Sequence, residues 1–404
     1  MPTAVCMSIK VDAVHFRLSK KKIKLFTAKT KLKAKIGEYR KETPLSSTIH
    51  ETTPLIRTHE YDLIPTQTSI ETLGQWDVKT IGRQGLENHP NGCLIHGDAG
   101  TGKSVILMQI YEELKKGKKG VALLAPTNIA AVRIKGQTIH KFLRCNNDGS
   151  SLHVDHLMNI IRKYKYILID EISMVNTQLY EYLALLRSQG IIFYISGDFK
   201  QIRPVKEEHI DFENSIVLND LTPDRIQLTH NYRANQAFAD ACALQNYEEL
   251  RRDMNMFRSS VQSSNASYDK LNICYTHEMR NKINAKCEKI YGKLGELGSY
   301  IIMKESTRTI GKNLIPKNII FEVTGPREVT QRFTDEETKF TFTKDEFKDL
   351  ISTCELAYAV TCHSIQGATI KTPYTIHQYD IFNKNMIYTA LTRTTDPNNV
   401  RILP

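Results

Sequence analysis

Residues Gly97 to Ser104 read G-D-A-G-T-G-K-S, and their spacing fits G-x-x-x-x-G-K-[ST]. The flanks fit as well. Cys93 to His96 make a short strand-like run before the loop, and Val105 to Leu114 continue as an apolar helical pattern after it. Strand, glycine loop and helix in that order commit the chain to an α/β architecture with a polyphosphate held at the turn. Gly97, Gly100 and Gly102 let the backbone curl, so the N–H groups of the loop, with Asp98, Ala99 and Thr101 among them, converge on one point. The helix opening near Lys103 aims its positive dipole end there too. Lys103 would reach the β- and γ-phosphates of ATP, and the Ser104 hydroxyl would be one oxygen ligand of Mg2+.

A chain of 404 residues is long enough for two or three domains with cores of their own. No run approaches the roughly 18 apolar residues of a membrane span, and the N-terminus lacks the charged-then-apolar order of a secretory signal. The expectation is an intracellular, reducing compartment. The eight cysteines agree: none forms a C-x-x-C pair or clusters with histidines, so they read as buried small hydrophobes rather than a zinc site or disulfide framework.

The formal charge of +11 is concentrated at one end. Residues 1–60 hold 13 Lys/Arg against 5 Asp/Glu, which accounts for +8 of it. A lysine-rich run from Lys20 to Lys35 precedes a polar stretch from Thr43 to Pro65 with little apolar periodicity. Residues 1–66 therefore read as a basic, partly disordered arm; electrostatic attachment to nucleic acid or a targeting signal is its functional alternative.

From Ser69 onward, Ile70, Leu73, Trp76, Val78 and Ile81 follow the spacing of an amphipathic helix. Gln75 within it carries an amide able to pair with N6 and N7 of adenine. Val121 to Ala125 has the length and apolarity of a buried parallel strand, and the turn Pro126-Thr127-Asn128 leads from it into a helical pattern. Tyr166 to Ile169 is a second such strand, ending in the acidic pair Asp170-Glu171: one carboxylate for magnesium, one to polarise an attacking water. Ile191 to Ile195 leads into S-G-D-F-K-Q, where Gln201 is placed to sense the γ-phosphate. Arg233 and Arg393, far along the chain, are candidates to complete the charge around a transferring phosphoryl group.

Taken together, GDAGTGKS, APTNIAAVRIKGQTIH, IDEISMV, SGDFKQIRPV, LTHNYR, YAVTCHSIQGATI and YTALTRT resemble, in order, the motifs of superfamily 1B helicases of the petite-integration-frequency and RecD-like branch. The resemblance runs from about Gln75 to Arg393. It implies two RecA-like α/β domains with parallel sheets: residues 67–220, then 221–297 with 353–404. Residues 298–352, which alternate in short β-runs, would be an SH3-like β-barrel inserted in the second domain.

The resemblance further implies that Gln75 reads adenine, that Lys103, Glu171, Gln201, Arg233 and Arg393 serve catalysis, and that Ser104 and Asp170 hold Mg2+. Gln366 and Gly367 would couple the second domain to nucleotide, while Thr127, His140, Thr361 and His363 would lie along the single strand. The implied activity is ATP-driven 5′ to 3′ movement on single-stranded DNA with duplex unwinding, by a chain acting as a monomer in replication, recombination or repair, in the nucleus or at a viral replication site. An RNA helicase of the viral type and a nucleotide-gated scaffold without turnover remain open alternatives.

Overall fold

The computed structural model describes residues 5–10, 13–17, 69–117, 120–146, 154–243, 268–304, 307–334 and 336–403. Near the N-terminus β1 (Val5–Lys10) and β2 (Ala13–Arg17) pair antiparallel. The remainder of the basic arm, with its lysine run, lies outside the described residues.

The first domain opens with β3 (Ser69–Leu73), a strand where the apolar spacing suggests helix. It pairs in parallel with a strand that arrives more than 150 residues later. Its residues suit extended backbone, and as the edge of the sheet it leaves Ile70 59% exposed, so the spacing of Ile70, Leu73 and Trp76 does not mark one buried face. Helix begins only at α1 (Ile81–Asn88).

The chain then alternates. β4 (Gly92–Gly97), α2 (Lys103–Lys116) and β5 (Val121–Ala125) form the first unit. Next come α3 (Asn128–Arg133), β6 (Gln137–Thr138), α4 (Ile139–Leu143), α5 (Val154–Lys163) and β7 (Tyr166–Ile169). The domain closes with α6 (Thr177–Ser188), β8 (Ile192–Gly197), α7 (Ile216–Leu221) and β9 (Asp224–Leu228). The sheet order is β3-β9-β4-β8-β7-β5-β6 and every pairing is parallel. β9 thus carries the first domain's sheet to Leu228, past the boundary at residue 220 expected from sequence.

Burial explains why these runs fold as they do. Ile106, Leu107, Ile110 and Leu114 form the inner stripe of α2 and pack with Ile95, Leu168 and Tyr194 on one face of the sheet. Leu94, Ile167 and Phe193 face the other layer, with Leu179, Leu183 and Leu186 of α6. At about 1.5–3 kcal/mol for each fully buried aliphatic side chain, this packing rather than helix propensity holds α2 against the sheet.

The second domain contains α8 (Gln236–Ala243), β10 (Leu271–Cys274) and α9 (His277–Tyr291). An antiparallel segment follows: β11 (Tyr300–Met303), β12 (Arg308–Ile310), β13 (Asn313–Ile315), β14 (Ile320–Gly325), β15 (Glu328–Gln331) and β16 (Lys339–Thr341). α10 (Lys344–Thr353) and β17 (Cys354–Leu356) complete it. β18 (Ala359–Thr361), β19 (Tyr374–Ile376), α11 (Lys384–Leu391) and β20 (Val400–Ile402) return to the domain proper.

Its parallel sheet has the order β18-β10-β19-β20, whereas the inserted strands form a five-stranded antiparallel sheet, β16-β15-β14-β11-β17, beside the β12-β13 hairpin. β17 pairs with β11, so the inserted sheet continues past residue 352. Cys93, Cys242, Cys274, Cys287, Cys354 and Cys362 are buried thiols, and Cys145 is a half-buried one. No helix among the described residues is long and apolar enough to cross a membrane.

Candidate active site

Parallel strands direct their C-terminal ends to one edge, where loops rather than regular structure meet a ligand. β4 ends in the glycine loop, β7 in Asp170-Glu171 and β8 in Asp198. Gly100 and Gly102 both adopt φ of +88°. A Cβ at Gly102 would lie 2.5 Å from Cζ2 of Trp76, and one at Gly100 2.7 Å from Cβ of Arg233. Glycine there satisfies both the left-handed backbone and the close approach. Lys103 is buried and its Nζ donates to the carbonyls of Gly97 (2.8 Å) and Asp98 (2.7 Å). Burial pulls its ammonium below the ordinary lysine range, an effect that Asp198, Glu171 and Asp170 only partly offset.

The acid pair is the electrostatic centre. Ser104 Oγ donates to Asp170 Oδ2 at 2.9 Å, and Ser196 Oγ donates to Oδ1 of the same carboxylate. Arg133 Nη2 donates to Asp170 Oδ2 at 2.6 Å and to Glu171 Oε1 at 3.0 Å. Burial alone would raise the Asp170 carboxyl, but the Arg133 charge and these hydrogen bonds outweigh it and hold the group below the usual carboxylate range. The same carboxylates raise Arg133 despite its own burial. Glu171 sits at φ of 57°, with Oε2 buried and unpartnered. Hydroxyl and carboxylate oxygens gathered around an open carboxylate lone pair are the hard donors Mg2+ prefers, so these residues fit that ion.

The second domain closes over this edge. Arg393 is 1% exposed, and its Nη2 donates to Gln201 Oε1 at 3.3 Å while Nε donates to the Thr389 carbonyl at 2.9 Å. Burial lowers its guanidinium below the ordinary arginine range. Arg233 Nη1 donates to the Thr392 carbonyl at 3.0 Å. Gln366 is 1% exposed and both amide atoms are unpartnered; Gly367 offers its carbonyl to Arg133 Nη1 at 3.2 Å.

Lys103, Ser104, Asp170, Glu171, Gln201 and Arg393 are therefore assembled in one cleft. Gln75 lies outside that cluster, exposed in the bend before Trp76. Among the four strand-binding candidates, Thr127 Oγ1 caps α3 by accepting from Ala130 N, and the Thr361 and Ser364 hydroxyls share a hydrogen bond of 2.8 Å. His140 lies on α4, on the same helix as Lys141. His363 lies in the short helix Cys362–Ile365, and burial lowers its imidazole despite the charge of Glu208.

Several residues that the sequence did not single out hold the cleft together. Tyr388 accepts from Ala99 N at 2.8 Å and donates to Asp198 Oδ2 at 2.9 Å, tying the glycine loop to the end of β8 through the second domain. Burial raises the Asp198 carboxyl, although Lys103 pulls the other way. Asn231 Nδ2 donates to the Ala99 carbonyl (2.7 Å), and Asn385 Nδ2 to those of Lys200 (2.9 Å) and Gln201 (3.0 Å). Asp198 was within reach of sequence reasoning, as the acid of the same S-G-D-F-K-Q stretch. Arg133 sits among apolar neighbours and carries no such signal.

Known proteins resemble this chain in sequence and in fold. Residues 77–263 match the family model described as PIF1-like helicase. The chain is 26% identical over 400 residues to the ATP-dependent DNA helicase Pif1 of Campylobacter jejuni, covering 77% of this chain and 88% of that one. It is 37% identical over 136 residues to the ATP-dependent DNA helicase RRM3 of Saccharomyces cerevisiae, of which it spans only 18%. The crystal structure of Pif1 helicase from Candida albicans superposes with a TM-score of 0.60 at 20% identity, covering 81% of this chain and 93% of that one. Bacteroides Pif1 in complex with ADP-AlF3 and single-stranded DNA gives 0.59 at 20% identity, covering 81% and 92%. At such identity these two likenesses are of fold. The matched family model, the relatives and the two-sheet fold agree in making the chain similar to the PIF1-like helicases.

Proposed function

We propose that this chain is an ATP-dependent DNA helicase that moves 5′ to 3′ along a single strand. The observation that carries the reading is the cleft in which Lys103, Ser104 and the acid pair of one parallel-sheet domain face Arg393 of the other. The C. jejuni relative is named as an ATP-dependent DNA helicase, and it shares most of its length with this chain.

In this reading ATP lies on the glycine loop from Gly97 to Ser104, with adenine toward Gln75. Ser104 and Asp170 would hold Mg2+, which would supply positive charge to neutralise the phosphates. Lys103 gives up its carbonyl contacts for the phosphates. Glu171 takes the attacking water through its unpartnered Oε2, and Gln201 positions that water against the γ-phosphate. Arg233 and Arg393 stabilise charge on the transferring group, and the buried amide of Gln366 finds its partner in the nucleotide or the strand.

Loss of the γ-phosphate removes the contacts that favour closure, so the two domains alternate their grip. Thr127, His140, Thr361 and His363 line the strand's path, and the inserted antiparallel sheet grips it as an SH3-like barrel. The basic arm adds salt-sensitive affinity. The chain works as a monomer, in the nucleus or at a viral replication site. ATP hydrolysis measured with and without single-stranded DNA or RNA, for wild type and Lys103→Ala, tests this. The expected result is stimulation by DNA, absent in the variant; equal hydrolysis by Lys103→Ala, or no response to any polynucleotide, would contradict it.

A further inference from the structure

Arg133 is a charged residue of the cleft that the proposed chemistry leaves without a role. Its side chain is 11% exposed, against 2% for Asp170 and 8% for Glu171, so three charges share a nearly dry space. One nitrogen, Nη2, spans both carboxylates at 2.6 and 3.0 Å. The other, Nη1, reaches the Gly367 carbonyl of the second domain at 3.2 Å, and Nε is buried and unpartnered. Paired charges in such a place hold each other, because either partner left alone in low dielectric is strongly disfavoured.

The oxygen that Arg133 holds most closely, Asp170 Oδ2, is also the nearer of the two to the Ser104 hydroxyl, at 2.9 Å against 3.1 Å for Oδ1. Oδ1 already accepts from the Ser196 hydroxyl and the Glu171 backbone N–H, so Oδ2 is the oxygen more open to a divalent ion drawing on Ser104 and Asp170, and two cations at contact distance from it repel each other strongly. Arg133 and the ion therefore compete for one carboxylate.

Resting on the nucleotide-site reading above, we infer that Arg133 is a positioning residue: it is the internal counter-ion of Asp170 and Glu171 before nucleotide arrives, and divalent-cation loading requires it to leave Asp170. Because the same guanidinium holds Gly367, that displacement also releases a tie between the two domains. Metal loading and domain movement are thereby linked through one side chain. Glu171, held through Oε1 by the same Nη2, keeps a contact for Arg133 when Asp170 is released, while its Oε2 stays free for water.

The test uses the full chain as wild type, Arg133→Gln and Arg133→Lys, each checked for a cooperative thermal transition. Binding of Mn2+ alone is followed by its electron paramagnetic resonance signal. Binding of a fluorescent non-hydrolysable ATP analogue is then titrated with Mg2+. Arg133→Gln is expected to bind Mn2+ without nucleotide where wild type does not. It should also lower the Mg2+ midpoint for the analogue by about tenfold or more, within the usual span of coupling between two ligands, with Arg133→Lys between the two. A purely structural ion pair would lower thermal stability and leave these midpoints unchanged. Equal midpoints in folded proteins, or tight Mn2+ binding by nucleotide-free wild type, which needs no variant to fold, would overturn the proposal. Wild type that binds no analogue at any Mg2+ concentration would instead overturn the nucleotide-site reading, and the role of Arg133 with it.

Discussion

Buried titratable side chains set the sharpest expectations. His377 is 6% exposed, with Nε2 2.9 Å from Asn272 Oδ1 and its ring stacked on Tyr268. Burial first, then the charge of Arg401, lowers it from 6.5 to about 4. Between those values the unfolded chain binds a proton that the folded one does not, so stability rises with pH through the window and falls on acidification. The second domain should lose up to about 3 kcal/mol from this group as pH drops from 6.5 to 4. Thermal melting of wild type and His377→Gln across that range checks it: the variant's melting temperature should fall less steeply. At the same scale Gly102→Ala places a methyl against Trp76 at a φ of +88°, and should reduce ATP-analogue affinity at least about tenfold by equilibrium titration. Residue placement was legible where a motif fixes spacing: Lys103 lies in the glycine loop after β4 and Asp170 at the end of β7, as the sequence predicts. Contacts were hidden where the partner is distant in sequence: the acid pair of Arg133 lies 37 and 38 residues on, and Tyr388 meets Ala99 across 289 residues.

Elements were legible in proportion to how completely they are buried. β5 and β7 fall on the apolar runs read from sequence, because a strand covered on both faces must be apolar throughout. β3 was misread because an edge strand need not be, and three apolar residues at helical spacing can arise on it by turn and strand together. The inserted segment, read from sequence as short β-runs throughout, does contain strands at β11 to β16, but α10 interrupts that reading, and β12 and β13 span only three residues each. α10 starts with a full capping box, in which Thr343 Oγ1 accepts from Glu346 N and Glu346 Oε2 accepts from Thr343 N. Thr343→Ala should destabilise the protein by about 1 kcal/mol in denaturant titration while leaving basal ATP hydrolysis unchanged. A fall in hydrolysis would show the inserted element acting on the cleft.

For the whole molecule, what matters is how the two parallel sheets are tied across the cleft. Tyr388, Asn231, Asn385 and Arg393 make that tie at the glycine loop and the end of β8, the places a nucleotide would reach. Asn385→Ala removes the donor to the Lys200 and Gln201 carbonyls and should lower the stimulation of ATP hydrolysis by single-stranded DNA about fivefold, with analogue binding little changed. The motor claim itself is tested most directly by strand displacement with Mg2+ and ATP on duplexes carrying either a 5′ or a 3′ single-stranded tail, with Lys103→Ala alongside. Opening of the 5′-tailed duplex alone, lost in the variant, is the predicted result. A folded, ATP-binding protein that opens neither duplex, or opens the 3′-tailed one instead, would contradict the account.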